Sequence, residues 1–294
     1  IVNIANITKT FNEFQKVPEM DAYAASALAQ AASGFGGVDD TSLTADNILE
    51  TWDTYLAYMV NQRVPRDRIR AKMTPDTYKL LKEAAGITRF VEADTGIRNI
   101  DRNVGKLDGV VIMEVPKDIM MSAYDFTEGW ASATGAKQIN LLMFDPIAIA
   151  APVVYETSMM SAPTAQSKGK WLYYERYYYD VFALNQRLPG IFVNMASNPA
   201  LGTLNITTSA GADSTHTVIN GLAPAPYGMK YVAKTNTDGA VSVTYGQALT
   251  DWTDVTNGAS FTTKSGDTVT VALVNTTKGN IATATGSALA VVGS

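Results

Sequence analysis

Cysteine is absent from this 294-residue chain, and histidine occurs once, as His216. The lack of cysteine excludes disulfides, thiolate metal sites and cysteine nucleophiles. A single histidine excludes a two-histidine metal site and a relay of histidines. No apolar run approaches the roughly 18 residues that a membrane span requires. The chain starts at Ile1 without a basic and then apolar leader, so we expect no signal peptide and a natural N-terminus that lies upstream.

Charge is also scarce. Charged residues make up 17% of the chain and apolar residues 46%, and the formal net charge is -5. A chain of this length can bury a large core. Its low charge content indicates that much of its surface meets protein rather than water. The acidic balance argues against a dedicated nucleic-acid binder, which needs a broad basic face.

From residue 198 onward the sequence contains no arginine and no glutamate. The remainder of the chain holds four lysines, five aspartates and nineteen threonines. This shift predicts two domains, 1–197 and 198–294. The second contains short runs rich in Val and Thr that are separated by Gly, Asn and Asp, which predicts a small all-β domain, an Ig-like sandwich or a barrel. Its strands are expected within 202–209, 216–221, 228–235, 239–246, 259–266, 267–275 and the tail 284–294.

The first domain mixes helix and strand signals. Three helices are expected, at Val17–Ser33, at Thr44–Gln62 and from Thr74 to a stop at Gly86. Their start signals are Pro18 in the first turn of one, and the N-caps Thr44 and Thr74 of the others. Strands are expected within 109–116 and 137–156, the latter followed by a helix that starts at a proline. The fold class is therefore α+β.

The segment Trp171–Phe182 has seven aromatic residues in twelve positions. If it is a strand, alternation places bulky apolar side chains on both of its faces. A platform for a flat ligand usually keeps one polar, solvated face. We therefore expect a strand that is covered on both sides, inside a sheet or between subunits, rather than a ligand site.

Two groups of charged residues are candidates for subunit contacts. The densest basic cluster could pair with acids on a neighbouring chain, or it could be a solvated helix end and strand edge. The second group is interspersed in the aromatic strand. The candidates are Arg63, Arg66, Arg68 and Arg70 in the basic cluster, and Glu175, Arg176 and Asp180 in the strand.

No catalytic, cofactor or metal site can be assembled from the sequence, so we expect a protein that is not an enzyme and that has no cofactor. The acids Glu92, Asp94 and Asp101 do not have the spacing of a calcium loop, and an exposed loop is the better interpretation. Residues 167–170, "SKGK", lack the remaining residues of a phosphate loop and predict a turn. His216 is expected at the surface.

Five segments, taken in order, resemble the major capsid proteins of tailed bacteriophages. They are "VPEMDAYAASALA", "RVPRDRIRAKMTPDTYKLLK", "GKLDGVVIMEVPKDIM", "GAKQINLLMFDPIAIAAPVVYE" and "ERYYYDVFALNQRLPGIFVNM". The resemblance covers about residues 10–195 and rests on pattern and order. It implies the Hong Kong 97-like fold, with Val17–Ser33 in the spine helix of a peripheral domain and an axial domain at about 40–150. The resemblance also implies an N-terminal arm and an extended loop before the spine helix, and we expect both to lie upstream of Ile1.

The resemblance also implies a role. The chain would assemble with itself into hexamers and pentamers of an icosahedral shell, in the virion, after synthesis in the host cytoplasm. Scaffold, portal and other head proteins would be its partners, packaged DNA would be contacted weakly, and no membrane would be involved. The domain 198–294 is similar to the fused β domains displayed on the outside of such shells.

Two alternatives remain. One is an encapsulin-like compartment that holds a cargo enzyme. The other is an adhesin or carbohydrate-binding protein in which Tyr245 and Trp252 of the β domain form a sugar platform.

Overall fold

The computed structural model describes residues 4–84, 91–94, 97–100 and 105–293, and for residues 4, 5, 91–94, 97–100 and 155–158 the backbone alone. The helices are α1 (Ile4–Phe11), α2 (Val17–Phe35), α3 (Ile48–Asn61) and α4 (Pro75–Glu83), and a π-helical segment (Asn12–Lys16) joins α1 to α2. The strands are β1 (Val38–Asp39), β2 (Arg70–Met73), β3 (Val91–Asp94), β4 (Ile97–Ile100), β5 (Lys106–Leu107), β6 (Val110–Glu114), β7 (Tyr124–Asp125), β8 (Ala131–Ser132), β9 (Ile139–Phe144), β10 (Ile149–Ala150), β11 (Val153–Ser161), β12 (Leu172–Tyr179), β13 (Phe182–Ala183), β14 (Ile191–Met195), β15 (Gly202–Thr203), β16 (Thr207–Ala210), β17 (His216–Asn220), β18 (Met229–Asn236), β19 (Thr253–Val255), β20 (Ser260–Thr262), β21 (Thr268–Asn275) and β22 (Ile281–Leu289).

The described residues thus mix helix and strand, in agreement with the α+β prediction. They divide into two compact units. The first comprises 1–29 and 43–184, and the second comprises 30–42 and 185–294. The second unit therefore contains the Thr-rich segment 198–294 together with two pieces of the preceding sequence.

The core of the first unit lies on a small mixed sheet. Strand β2 runs parallel to β6 and antiparallel to β9, and β5 pairs with β6 at the edge. Helix α3 buries one stripe of side chains, as its apolar spacing predicts. The buried stripe consists of Ile48, Thr51, Trp52, Tyr55, Leu56 and Met59. Both strands expected within 109–116 and 137–156 are present, as β6 and β9.

The observed helix boundaries agree with some of the predicted capping and stop residues and differ from others. Thr74 caps α4 by accepting a hydrogen bond from the Thr77 amide, as predicted. Thr44 is instead one turn before α3, where it exchanges hydrogen bonds with Asn47. The expected stop at Gly34 is wrong, because α2 continues to Phe35 and the left-handed residue that ends it is Gly36, with φ 83°.

Two further expectations concern this unit. The helix expected after the strand at 139–144 is only a 3-10 turn, Pro146–Ala148, which Asp145 caps through the Ile147 amide. The expected stop at Gly86 lies outside the described residues, as does Asp101. The loop expected around Glu92 and Asp94 is instead a pair of antiparallel strands, β3 and β4.

The second unit contains a β-sandwich. One sheet has the order β15-β22-β21-β18-β19 and the other the order β16-β17-β20. Side chains of both sheets meet in one buried cluster, which includes Ile219 and Phe261 from one sheet and Tyr231, Val269 and Val271 from the other. Most of the expected strands are present. The strand expected at 239–246 is wrong, because no residue of this segment is in a strand and the Val241 amide donates to the Thr270 hydroxyl instead.

The end of α2 is fixed by side chains of this sandwich. The Tyr245 hydroxyl donates to the Ser33 carbonyl at 2.9 Å, and the Lys278 ammonium donates to the Gly36 carbonyl at 3.0 Å. The Asn275 side-chain amide donates to the Phe35 carbonyl. The Ser33 and Phe35 carbonyls are in the last turn of α2 and the Gly36 carbonyl follows it, so side chains of the sandwich donate hydrogen bonds to the end of the helix.

Candidate subunit-contact surface

The aromatic strand β12 forms a hairpin with β11. The two strands pair antiparallel, from Val153 opposite Tyr179 to Ser161 opposite Leu172, with a register shift between Tyr155 and Thr157. The described part of the chain adds no third strand to this pair. The connecting segment contains a turn at 167–170, as predicted, in which Lys168 has a φ of 53°.

The inner face of the hairpin is attached to the helical segment that precedes α2. The Lys16 ammonium lies 2.5 Å from a carboxylate oxygen of Glu175, and only 7% and 10% of these side chains are exposed. The same ammonium lies 4.0 Å from the centre of the Tyr177 ring. Removal of one partner from such a buried pair costs about 3–5 kcal/mol, because the other charge is left uncompensated.

Two further hydrogen bonds continue this attachment along α2. The Tyr179 hydroxyl donates to Glu19 at 2.9 Å, and the Tyr23 hydroxyl donates to Asp180 at 2.7 Å. Burial raises the pKa of Tyr179, and the hydrogen bond to Asp180 raises the pKa of Tyr23. Both hydroxyls therefore keep their protons at neutral pH and act as hydrogen-bond donors.

The outer face of the hairpin is apolar and open. Tyr174 lies opposite Met159 and Tyr178 opposite Val154, and all four side chains are about half exposed. Directly opposite residues of an antiparallel pair share a face, so the four form one surface. An aromatic side chain has about 150–250 Å² of surface, so this face exposes several hundred Å² of apolar area.

The described residues cover the aromatic strand on one face, so they do not provide the expected cover on both faces, inside a sheet or between subunits. One of its faces is attached to α2 and the segment before it, while the other faces away from this chain. The alternation of side chains was read correctly, but alternation carries no information about which chain covers each face. Cover by a neighbouring subunit stays a prediction.

The seven candidate contact residues are not brought together. Arg68 holds the buried carboxylate of Asp145 at 2.6 Å, and Arg70 donates to the carbonyls of residues 67–69. These two arginines therefore have roles within the fold. Arg63 and Arg66 are exposed.

The candidates in the aromatic strand are separated by the two faces of the hairpin. Glu175 and Asp180 are occupied on the inner side by Lys16 and Tyr23. Arg176 is exposed on the outer face, with its guanidinium carbon 5.0 Å from the centre of the Tyr178 ring. Of these three, Arg176 is the one that lies on the exposed apolar face of the hairpin.

The sequence interpretation missed the role of Lys16. A signal for part of it was present. From Ile4 onward the chain is helical, and Thr8, Asn12 and Lys16 recur every four residues, which places them on one face. This spacing predicts a polar side of the helix that faces the fold, but it does not identify Glu175, 159 residues away, as the partner of Lys16.

The two residues of the alternative sugar platform, Tyr245 and Trp252, pack within the second unit. Tyr245 is 9% exposed, and its hydroxyl is engaged by the Ser33 carbonyl. Burial raises the pKa of this tyrosine. Trp252 packs against the buried cluster around Leu249. His216 is partly exposed and lies 2.7 Å from Asp213, whose pKa this contact lowers to about 2.

Over the residues described, no group of three or more histidine, aspartate and glutamate side chains is arranged to hold a metal ion. None of the described helices has the length and apolar character needed to cross a membrane.

Comparisons with known proteins identify no family for this chain. No protein-family model matches the chain, and no curated protein matches it significantly. Among solved structures, domains 7, 8 and 9 of the S-layer protein SbsC are similar to it, with 12% identity and a TM-score of 0.28. The likeness covers 39% of this chain and 36% of that one, so the chain spans about a third of that structure.

Proposed function

We propose that this chain is the major capsid protein of a tailed bacteriophage, a structural subunit that assembles into the icosahedral shell around double-stranded DNA. The observation that carries the proposal is the open apolar face of the hairpin. A patch of several hundred Å² on a protein surface is typical of a contact with another protein. The resemblance of the segment order over about 10–195 to tailed-bacteriophage capsid proteins is the reason for proposing an icosahedral shell.

The charge content supports this role. A formal net charge of -5 is unsuited to tight binding of phosphates. A container that is filled with DNA and later emptied needs an inner wall of this kind. In this proposal the shell takes the Hong Kong 97-like fold, forms hexamers and pentamers, and displays the sandwich of 198–294 on its outer surface.

The first test is the assembly state of the full gene product, measured by sedimentation and negative-stain electron microscopy with and without its scaffold. Closed hollow particles are expected. A protein that stays monomeric under all of these conditions would contradict the proposal. Particles that contain a cargo enzyme instead of DNA would identify the shell as an encapsulin-like compartment.

Tyr174→Ser is expected to raise the protein concentration needed for assembly roughly tenfold, since an interface aromatic contributes about 1–2 kcal/mol. The measurement is the particle fraction as a function of protein concentration. Tyr227→Ser is the matched control, because Tyr227 is a similarly exposed tyrosine in the second unit. Equal effects of the two changes would show that the hairpin face has no special part in assembly.

A further inference from the structure

The helical segment before α2 exposes its apolar side chains and turns its polar side chains toward the fold. Among residues 6–17, Thr8, Asn12 and Lys16 are the least exposed, and they are the three that face this chain's own fold. The large apolar side chains of the same segment point outward. Ile7 is 57% exposed, Phe11 50% and Phe14 64%. We refer to Ile7, Phe11 and Phe14 as the outer helix stripe.

A surface helix normally buries its apolar stripe and leaves its polar residues in water. Here the polar side is held in place by the buried ion pair of Lys16 with Glu175, so the helix cannot rotate to bury its stripe without breaking that pair. The outer helix stripe therefore faces outward in the folded subunit, and the described residues leave it exposed.

The helical segment and the hairpin pack on each other as two layers. The outer helix stripe and the outer hairpin face lie on the opposite outer sides of these layers. The helix contacts β12 through Lys16 and Glu175, on the inner face of the hairpin. Tyr174 and Tyr178 are on the other face of the strand, because successive side chains alternate. The two apolar surfaces of one subunit point away from each other and cannot cover each other.

We propose that the outer helix stripe of one copy packs on the outer hairpin face of a second copy. The inference rests on the proposed function, and it names the surfaces by which two copies meet. Each surface is apolar and rich in aromatic side chains, and together they present several hundred Å², which is the scale of the apolar core of a standard interface.

Charge fits the same pairing. Glu13 is exposed beside Phe14 on the helical segment, and Arg176 is exposed between Tyr174 and Tyr178 on the hairpin. When the two surfaces of different copies meet, an acidic and a basic group are brought to the same interface. A carboxylate with a guanidinium gives direction to an otherwise apolar contact.

The contact joins two different surfaces, so each copy uses one of them toward one neighbour and the other toward the next. Such heterologous contacts produce rings or extended arrays rather than closed dimers. A ring of subunits is therefore built from a single type of contact, repeated.

The absence of cysteine allows a direct test. In the full-length chain, Phe14→Cys and Tyr174→Cys are made singly and mixed under assembly conditions, and a short bismaleimide crosslinker is added. The mixture is expected to give covalent dimers on a denaturing gel, while each variant alone gives none. The double variant is expected to give a ladder of dimers, trimers and higher species.

A matched control places the second cysteine at Lys79, which is exposed on α4, so that the pair Lys79→Cys and Tyr174→Cys reports random collisions. Crosslinking of Phe14→Cys with itself would overturn the inference, because it would show a symmetric contact. Particles that assemble without any link between positions 14 and 174 would also overturn it and leave the capsid proposal intact. Failure of the unmodified protein to assemble would instead remove both.

A charge exchange gives a second readout that needs no cysteine. Glu13→Arg and Arg176→Glu are each expected to reduce the particle fraction at a fixed protein concentration, and the double variant is expected to recover it in part. Reductions that simply add, with no recovery, would contradict a contact between these two residues.

Discussion

At the residue scale, the ammonium of Lys278 lies in a setting that disfavours its charge. It donates to the Gly36 carbonyl and lies 4.6 Å from the centre of the Phe192 ring. Burial lowers the pKa of Lys278 to about 8, and the charge of Asp39 opposes that shift to a smaller degree. The lysine therefore titrates closer to neutral pH when the protein is folded than when it is unfolded.

The sign of the resulting pH dependence follows from proton counting. Between pH 8 and 10.5 the unfolded chain keeps a proton on Lys278 that the folded chain has released. The free energy of unfolding should therefore rise with pH in this window, by up to about 1.4 kcal/mol per pH unit, and should not change below it because of this group. Chemical denaturation at a series of pH values from 7 to 10 measures this slope.

Lys278→Met is expected to remove the slope, since no titrating group remains at this position. Lys264→Met, at an exposed lysine of the same unit, is expected to keep it. The pH series ends at 10. Above that pH, buried tyrosines with a raised pKa, such as Tyr245, lower the free energy of unfolding as the pH rises. An unchanged slope in Lys278→Met would contradict the assignment.

At the scale of single elements, the helix ends show how far local sequence signals reach. Thr74 followed by Pro75 defines the start of α4, because capping depends on a few adjacent residues. The end of α2 was misplaced by two residues. Either Gly34 or Gly36 could have ended that helix by local rules, and the contacts made by Asn275 and Lys278, more than 200 residues away, lie at its actual end.

Two glycines at this helix end should respond to alanine in opposite directions. A Cβ at Gly37 would lie 2.7 Å from the Ile191 carbonyl oxygen, whereas a Cβ at Gly34 would meet nothing within 4 Å. Gly37→Ala should lower the free energy of unfolding by about 1–3 kcal/mol, since the strand pairing beside it must shift. Gly34→Ala should raise it by about 0.5–1 kcal/mol through helix propensity.

Thermal or denaturant unfolding of the two variants beside the unmodified chain measures both effects. Gly34→Ala serves as the control for the substitution itself. Tolerance of Gly37→Ala without loss of stability would show that β1 and β14 are less closely placed than described.

For the hairpin, local features could be predicted from sequence, whereas the long-range partners of its charged residues could not. The strand, its alternation and the turn at 167–170 could be predicted from local patterns. The division of its charged residues between two faces could also be predicted, but their partners could not. Glu175 finds Lys16 at a separation of 159 residues, and no local pattern encodes a contact of that range.

At the scale of the whole molecule, the segment 198–294 contributes to the stability of the sequence before it. Its side chains cap the last turn of α2, and the backbone of Gly228 packs against the ring of the buried Phe35. A chain that ends at residue 197 should therefore have a lower melting temperature and should expose Phe35 to solvent.

Circular dichroism of the shortened chain against the full chain measures this loss. Asn275→Ala in the full chain should lower the free energy of unfolding by about 1–2 kcal/mol, because it removes one side chain that caps the helix while the sandwich remains. Identical melting temperatures for the short and full chains would show that the sandwich is energetically independent.

The ion pair of Lys16 with Glu175 also sets an order of events during synthesis. The helical segment leaves the ribosome early, but its anchor Glu175 is made 159 residues later, and the hydrogen bond from Tyr23 requires Asp180. Until then the outer helix stripe has no fixed direction and the hairpin has no inner support. If the chain assembles through these surfaces as proposed, a nascent chain cannot recruit a neighbour in the correct orientation, and translation delays assembly until the first unit is complete.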